Sequence, residues 1–235
     1  SRGLGDVYKR QVIPCCQKRN IVNQKVINEL IKLIIMERNL KEALKHRRSY
    51  YAIEAQSPIP DEKVEEIVRF VLETTPSAFN SQSTRLVLLL GEQHKKFWQI
   101  VKDTLQKIIS EQAFKATENK INNSFASGYG TVLFFEDEAI VEGLQKAFPL
   151  YESKFPEWSE HTSAMHQLAT WTMLEDAGFG ASLQHYNPLI DTAVIAEWKL
   201  PEHWKLIAQM PFGTPLLVPD KKEIKPIHDR LKIFK

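Results

Sequence analysis

Thr75-Pro76-Ser77-Ala78-Phe79-Asn80-Ser81-Gln82-Ser83 lies between two apolar patterns of different period. Before it, Val64, Ile67, Val68, Val71 and Leu72 recur at helical spacing; after it, residues 86–90 form an unbroken apolar run of strand length. The change of period predicts a helix, a loop and then a buried strand. Helix-to-strand loops commonly need only about 2–6 residues. This one is longer and carries Ser77, Asn80, Ser81, Gln82 and Ser83, whose amides and hydroxyls suit the donor and acceptor edge of a planar heterocycle. The same residues would equally serve a polar connector in which Asn and Ser satisfy their own turns.

The 235 residues, 43% hydrophobic, can bury a full core as one large domain or two small ones. Thirty-one basic residues against 29 acidic ones leave a net charge of +2, so no nucleic-acid partner is expected. Cys15 and Cys16 are adjacent and fit neither a framework disulfide nor a metal-ligand spacing; a cytoplasmic, reducing setting suits them best. No run approaches the ~18 apolar residues of a membrane span. Residues 27–35 are broken by Asn28, Glu29 and Lys32, which argues against a signal peptide. Residues 1–35 are expected to be a non-native, disordered or helical extension. The domain itself is expected over 36–235, opening at Met36-Glu37-Arg38-Asn39.

Working outward, Leu40 and Leu44 predict a short helix running into His46-Arg47-Arg48-Ser49-Tyr50-Tyr51. Two adjacent guanidiniums and a hydroxyl could hold a phosphate dianion; a solvated basic helix end is the alternative. Asp61 is expected to cap the helix before the opening stretch. Past the strand, Phe97, Val101, Leu105, Ile108 and Ile109 predict a helix of about four turns. Residues 111–130, polar but for Phe114, Ile121 and Phe125, read as an excursion that could close as a lid. Residues 131–135 read as a second buried strand, with Asp137 capping a helix that carries Val141, Leu144 and Phe148. Residues 149–158 read as an aromatic loop.

Residues 161–177 predict a largely buried helix, with Ala164, Leu168, Trp171 and Glu175 along one side, ended by Gly178 and Gly180. A third strand over 181–186, a helix over 191–198 and a fourth strand over 204–210, closed by Pro211-Phe212-Gly213, complete the pattern. The tail, 221–235, reads as an extended arm able to add a strand to a second copy's sheet. Gly178-Phe179-Gly180 follows a helix, and Leu183 stands at the third glycine position, so it is no dinucleotide fingerprint. Seven scattered histidines give no metal site, and no nucleophile motif is present.

Three polar clusters remain: Arg47-Arg48-Ser49, residues 77–82, and Leu183-Gln184-His185. Together with Gly128-Tyr-Gly-Thr-Val-Leu-Phe-Phe-Glu-Asp, Phe148-Pro-Leu-Tyr, Gly180-Ala-Ser-Leu-Gln-His-Tyr-Asn-Pro and Met210-Pro-Phe-Gly, their order resembles the FMN-dependent nitroreductase family, in a branch found in fungi and bacteria. The resemblance covers about residues 36–235. It implies an α+β sandwich with a central, mostly antiparallel sheet flanked by helices, completed by dimerisation, with an FMN at each of two interface sites. It further implies that Arg47, Arg48, Ser49 and Lys225 hold the phosphate and ribityl chain. Ser77, Ala78, Phe79, Asn80 and Gln82 would come from the other copy to the pyrimidine edge. Leu183, Gln184 and His185 would line the ring, with the Gln184 N–H near N5. Glu223 stands where the family often has a second basic residue.

No side chain is then catalytic. The implied reaction is ping-pong hydride transfer from NADH or NADPH through the flavin to a nitroaromatic, a quinone or a similar electron-poor small molecule. Residues 111–130 and 149–158 would form the substrate rim. A flavin-binding, redox-linked regulator with little turnover is the alternative reading, and a flavin-free interaction protein is a further one.

Overall fold

A computed structural model describes residues 40–235. The expectation for residues 1–35 lies outside them. Among the described residues seven helices flank an antiparallel sheet: α1 Leu40–His46, α2 Asp61–Thr74, α3 Gly91–Gln106, α4 Glu111–Ser124, α5 Glu138–Ala147, α6 Phe155–Asp176 and α7 Asp191–Trp198. The strands are β1 Ile53–Glu54, β2 Thr84–Leu90, β3 Gly130–Asp137, β4 Gly180–Ala181 and β5 Trp204–Pro215, in the order β1-β5-β3-β2, with β4 also on β5. The architecture is α+β.

β3 is buried along its whole length because its two faces serve different cores. Leu133 and Phe135 pack with α3, α4 and α7 through Phe97, Trp98, Phe114, Ile121 and Val194. Val132 and Phe134 pack with α2 and α6 through Val64, Val68 and Leu174. Alternation along a strand sends successive side chains to opposite faces, so a continuous apolar run means helices on both sides.

Several expectations need correction. Residues 111–130 are no lid: Ser110 Oγ accepts from the Ala113 N–H to start α4, and Phe114 and Ile121 are buried on it. Phe125 follows them into the same core. Apolar spacings of seven and four make one helical stripe; its sparseness disguised it. Residues 149–158 are no loop either. A 3₁₀ turn, Pro149–Lys154, leads directly into α6, which starts at Phe155 rather than His161. Neither Asp61 nor Asp137 caps with its side chain. Asp61 accepts from the Tyr129 hydroxyl and Asp137 from Arg85, so both carboxylates are engaged elsewhere. β5 continues through Pro211 to Pro215, while the third strand shrinks to β4 plus a lone bridge between Gln184 and Gln209. The tail holds one 3₁₀ turn, Ile227–Asp229, and forms no strand within this chain.

His94 on α3 is fully buried. Its Nε2–H donates to the Ala126 carbonyl (3.3 Å), leaving Nδ1 to accept from the Thr131 hydroxyl (2.8 Å), which in turn accepts from Trp98 Nε1 (3.0 Å). Burial lowers its pKa from 6.5 to about 4. An unfolded chain therefore binds a proton that the fold refuses between those values, so the stabilisation is complete above pH 6.5 and lost as pH falls toward 4. Denaturant titrations should show roughly 3 kcal/mol lost over that interval. His94→Gln, which cannot ionise, should flatten the slope; equal slopes would place the acid sensitivity elsewhere.

Candidate functional site

β4 is where two of the three clusters meet. One edge of its segment bonds β5: the N–H groups of Ser182 and Gln184 donate to the Pro211 and Gln209 carbonyls (3.2 and 2.7 Å), and that of Tyr186 to Gln209 Oε1 (2.8 Å). The other edge carries Ser49 in a parallel bridge to Ala181, with the Tyr50 N–H donating to the Ala181 carbonyl (2.9 Å). This close approach requires Gly180, where a Cβ would lie 2.8 Å from Tyr50. The bridge thus joins the segments that carry the two clusters along one edge, with Arg47-Arg48 before it and Leu183-Gln184-His185 beyond it. The Gln184 N–H, expected at a ring nitrogen, is committed to Gln209. Extended backbone alternates direction, so the N–H groups of Leu183 and His185 face away from β5, and neither meets an acceptor among the described residues.

The Arg47 guanidinium carbon lies over the Trp171 ring, 4.4 Å from its centroid. That contact places the guanidinium against the indole, and among the described residues its donors meet no acceptor. Arg48 is differently placed: Nη2 donates to the Asp220 carbonyl (2.7 Å), which ties the start of the tail to this cluster. Lys225 is exposed farther along the tail.

The third cluster is a tight, left-handed loop. Phe79, Asn80 and Gln82 have φ of 55°, 52° and 48°. Asn tolerates that region; a bulky Phe there is unusual and marks a backbone held by its surroundings. The Gln82 N–H donates to Ser77 Oγ (3.0 Å), and the Asn80 and Ser81 N–H groups close turns onto Ser77 and Ala78. The Phe79 ring, 49% exposed, sits among Phe148, Phe155, Tyr151 and Trp158 at centroid distances of 4.9–6.0 Å. Beside it opens a cavity of about 360 Å³ lined by Ala78, Phe79, Trp158, His161, Thr162 and Met165.

Within one chain this loop does not join the other two clusters. It packs near Trp158 on α6, whereas Arg47 packs on Trp171 of the same helix. Thirteen residues of α-helix separate those contacts, about 20 Å of rise.

Sequence reasoning missed three residues that shape the site. Trp171 presents Arg47. Buried Gln209 holds the 184–187 turn through its backbone, its Oε1 and its Nε2, the last donating to Asn187 Oδ1 (3.1 Å). Glu136, 2% exposed, accepts from the hydroxyls of Ser83 and Thr84 at 2.6 Å each. Burial still pushes the Glu136 carboxyl above its ordinary value, and it pushes His166 beneath Thr84 down. A polar Gln or Glu on an otherwise apolar strand is the signal that could have found two of them.

Comparison with known proteins gives a consistent neighbourhood. The sequence model of the nitroreductase family matches residues 44–214. Nitroreductase FRM2 of Saccharomyces cerevisiae is 34% identical over 186 residues, 78% of this chain and 92% of that protein. The structure of nitroreductase CinD from Lactococcus lactis in complex with nicotinic acid superposes with a TM-score of 0.77 at 41% identity, covering 84% of this chain and all of CinD; a second CinD structure contains 4-nitrophenol. A Desulfovibrio desulfuricans structure in complex with FMN, 13% identical with a TM-score of 0.61 over 85% of this chain and all of its own, shares the fold alone.

The left-handed backbone at position 79 separates two truncations. Both Phe79→Ala and Phe79→Gly lose the ring contacts, but only Ala keeps a Cβ in the disfavoured region. Chemical denaturation should find the Gly variant more stable than the Ala variant by about 1 kcal/mol. The reverse order would mean that the loop relaxes out of this conformation.

Proposed function

The chain belongs to the nitroreductase family, and from that premise we propose that it works as a homodimeric, FMN-dependent oxidoreductase using NADH or NADPH to reduce a small electron-poor acceptor such as a nitroaromatic or quinone. The observation that carries the reading is the unfilled edge beside β4. Two outward amides, of Leu183 and His185, lie on one side of the Ser49–Ala181 bridge and a pair of arginines on the other; one of these, Arg47, lies over the Trp171 ring and meets no acceptor among the described residues. Backbone donors suit a ring's heteroatom edge, and a stacked guanidinium suits a bidentate phosphate. The residues therefore fit the cofactor.

In this reading Arg47, Arg48, Ser49 and Lys225 bind the phosphate and ribityl chain, and Leu183, Gln184 and His185 line the ring. The ring-nitrogen donor moves from Gln184 to an outward neighbour, His185 or Leu183. Ser77, Ala78, Phe79, Asn80 and Gln82 are contributed across the interface. Their separation from the other clusters supports that assignment, as does α6. Ala164, Met165 and Leu168 are exposed on it, while Ser163, His166, Gln167 and Thr170 face inward. An apolar stripe turned to solvent calls for a partner surface, and a second copy supplies the missing loop.

Bound there, FMN supplies two-electron chemistry in alternating half-reactions with reduced nicotinamide and acceptor. The protein's own part is to hold, orient and shield. Phe79, Trp158 and Met165 offer a flat apolar wall for an aromatic acceptor. Among the described residues no helix is long and apolar enough to cross a membrane; we place the activity in the cytoplasm, where reduced nicotinamide is available.

Purified protein should be yellow, absorb near about 450 nm as flavoproteins do, and oxidise NADH or NADPH when 4-nitrophenol or a quinone is present. Arg47→Ala should weaken FMN binding by about 1.5–3 kcal/mol, the worth of a charged hydrogen bond. Colourless protein that fails to take up added FMN would overturn the reading. Flavin reduced by nicotinamide but reoxidised by no acceptor would shift it to the regulatory role.

A further inference from the structure

Resting on that reading, we propose that Glu136, backed by Asp137, is a positioning residue that sets the left-handed 77–82 loop and ties it to the wall of the acceptor cavity. The two carboxylates end β3 and point to opposite faces of the sheet, so each grips the foot of the loop from its own side. Glu136 receives Ser83 Oγ on Oε2 and Thr84 Oγ1 on Oε1, both at 2.6 Å. Asp137 Oδ2 receives Arg85 Nη2 at 2.9 Å, and Arg85 Nη1 reaches back to the carbonyls of Gln82 (2.7 Å) and Thr84 (3.1 Å). Three successive residues, 83–85, are thus held by side chains of two, 136–137.

The grip extends to α6. His166 Nδ1 lies 3.3 Å from Thr84 Oγ1 and donates to the Thr162 carbonyl at 2.9 Å. Thr162 lines the cavity beside Phe79. With the Thr84 hydroxyl proton given to Glu136, the His166 Nδ1–H is shared between the Thr162 carbonyl and, at the longer distance, Thr84 Oγ1, which links the loop foot to the cavity wall. A carboxylate this deeply buried is an unfavourable choice for stability alone, because its desolvation exceeds what neutral hydroxyl donors return. Its geometric value is that both oxygens accept, so two hydroxyls on adjacent residues are fixed by one rigid, planar group. A Gln offers only one accepting oxygen. The left-handed residues 79, 80 and 82 are what such an anchor would have to restrain.

The test uses the whole chain as Glu136→Gln, with Ser83→Ala as a second variant that leaves the buried carboxylate bonded to Thr84. Amide hydrogen exchange of Asn80, Ser81 and Gln82 is followed in flavin-stripped protein, FMN titration reports affinity, and thermal melting reports global stability. In both variants loop exchange should quicken about tenfold and FMN affinity fall about tenfold, the scale of one lost hydrogen bond at a desolvated site. Exchange in β3 and β5 should stay unchanged, and the melting temperature of Glu136→Gln should not fall in proportion. Unchanged loop exchange in both variants would overturn the clamp, and so would exchange that rises uniformly with lost global stability. Faster loop exchange with unchanged FMN affinity would sustain the clamp and remove the loop from the flavin site.

Discussion

Alternation of backbone direction along a short stretch beside β5 organises the candidate site. Ser182 and Gln184 donate their amides inward to Pro211 and Gln209, and Tyr186 adds a third inward bond to the Gln209 side chain. With the even positions taken, Leu183 and His185 have no choice but to face the open edge. Gly180 then lets Ser49 and Tyr50 lie along that same edge, where a Cβ would collide. A row of backbone donors and a pair of arginines therefore flank one bridge, on either side of it. Shifting the bridge by one residue would turn the whole row around.

The long helix α6 holds two of the clusters apart within this chain. Its buried side is unexpectedly polar, with Ser163, His166, Gln167 and Thr170 turned into the chain, while Met165 and Leu168 face outward. Its two ends also serve different clusters, Trp158 backing the loop and Trp171 backing Arg47. Helix length thus separates the two clusters within one chain, the feature on which the proposal of a two-fold dimer rests.

The loop itself shows how backbone conformation and side-chain chemistry reinforce one another. Phe79 occupies a region disfavoured by its Cβ, yet four neighbouring rings and the Ser77–Gln82 staple hold it there. Glu136 and Asp137 fix the strand that follows. Local strain persists only where surroundings over-determine it, and here the determinants come from β3, α5, the following 3₁₀ turn and α6 together.

What was legible in the sequence follows from periodicity and punctuation. The α2–loop–β2 succession, β3, α7 and the run of Trp204 into β5 are written in apolar spacing, and the order of the three polar clusters carries the family. Sparse or partial signals misled: Phe114, Ile121 and Phe125 make a helix only when their spacing is weighed above the polarity between them, and the rings at 148–158 are packed on a helix start rather than on a loop. Tertiary structure alone decided which amide is engaged at Gln184, which carboxylate caps nothing because it grips a neighbouring strand, and which side of α6 faces water. These are choices among partners distant in the chain. Local pattern constrains a residue's period and backbone preference, whereas the identity of its hydrogen-bond partner depends on strand register and packing that no short window contains.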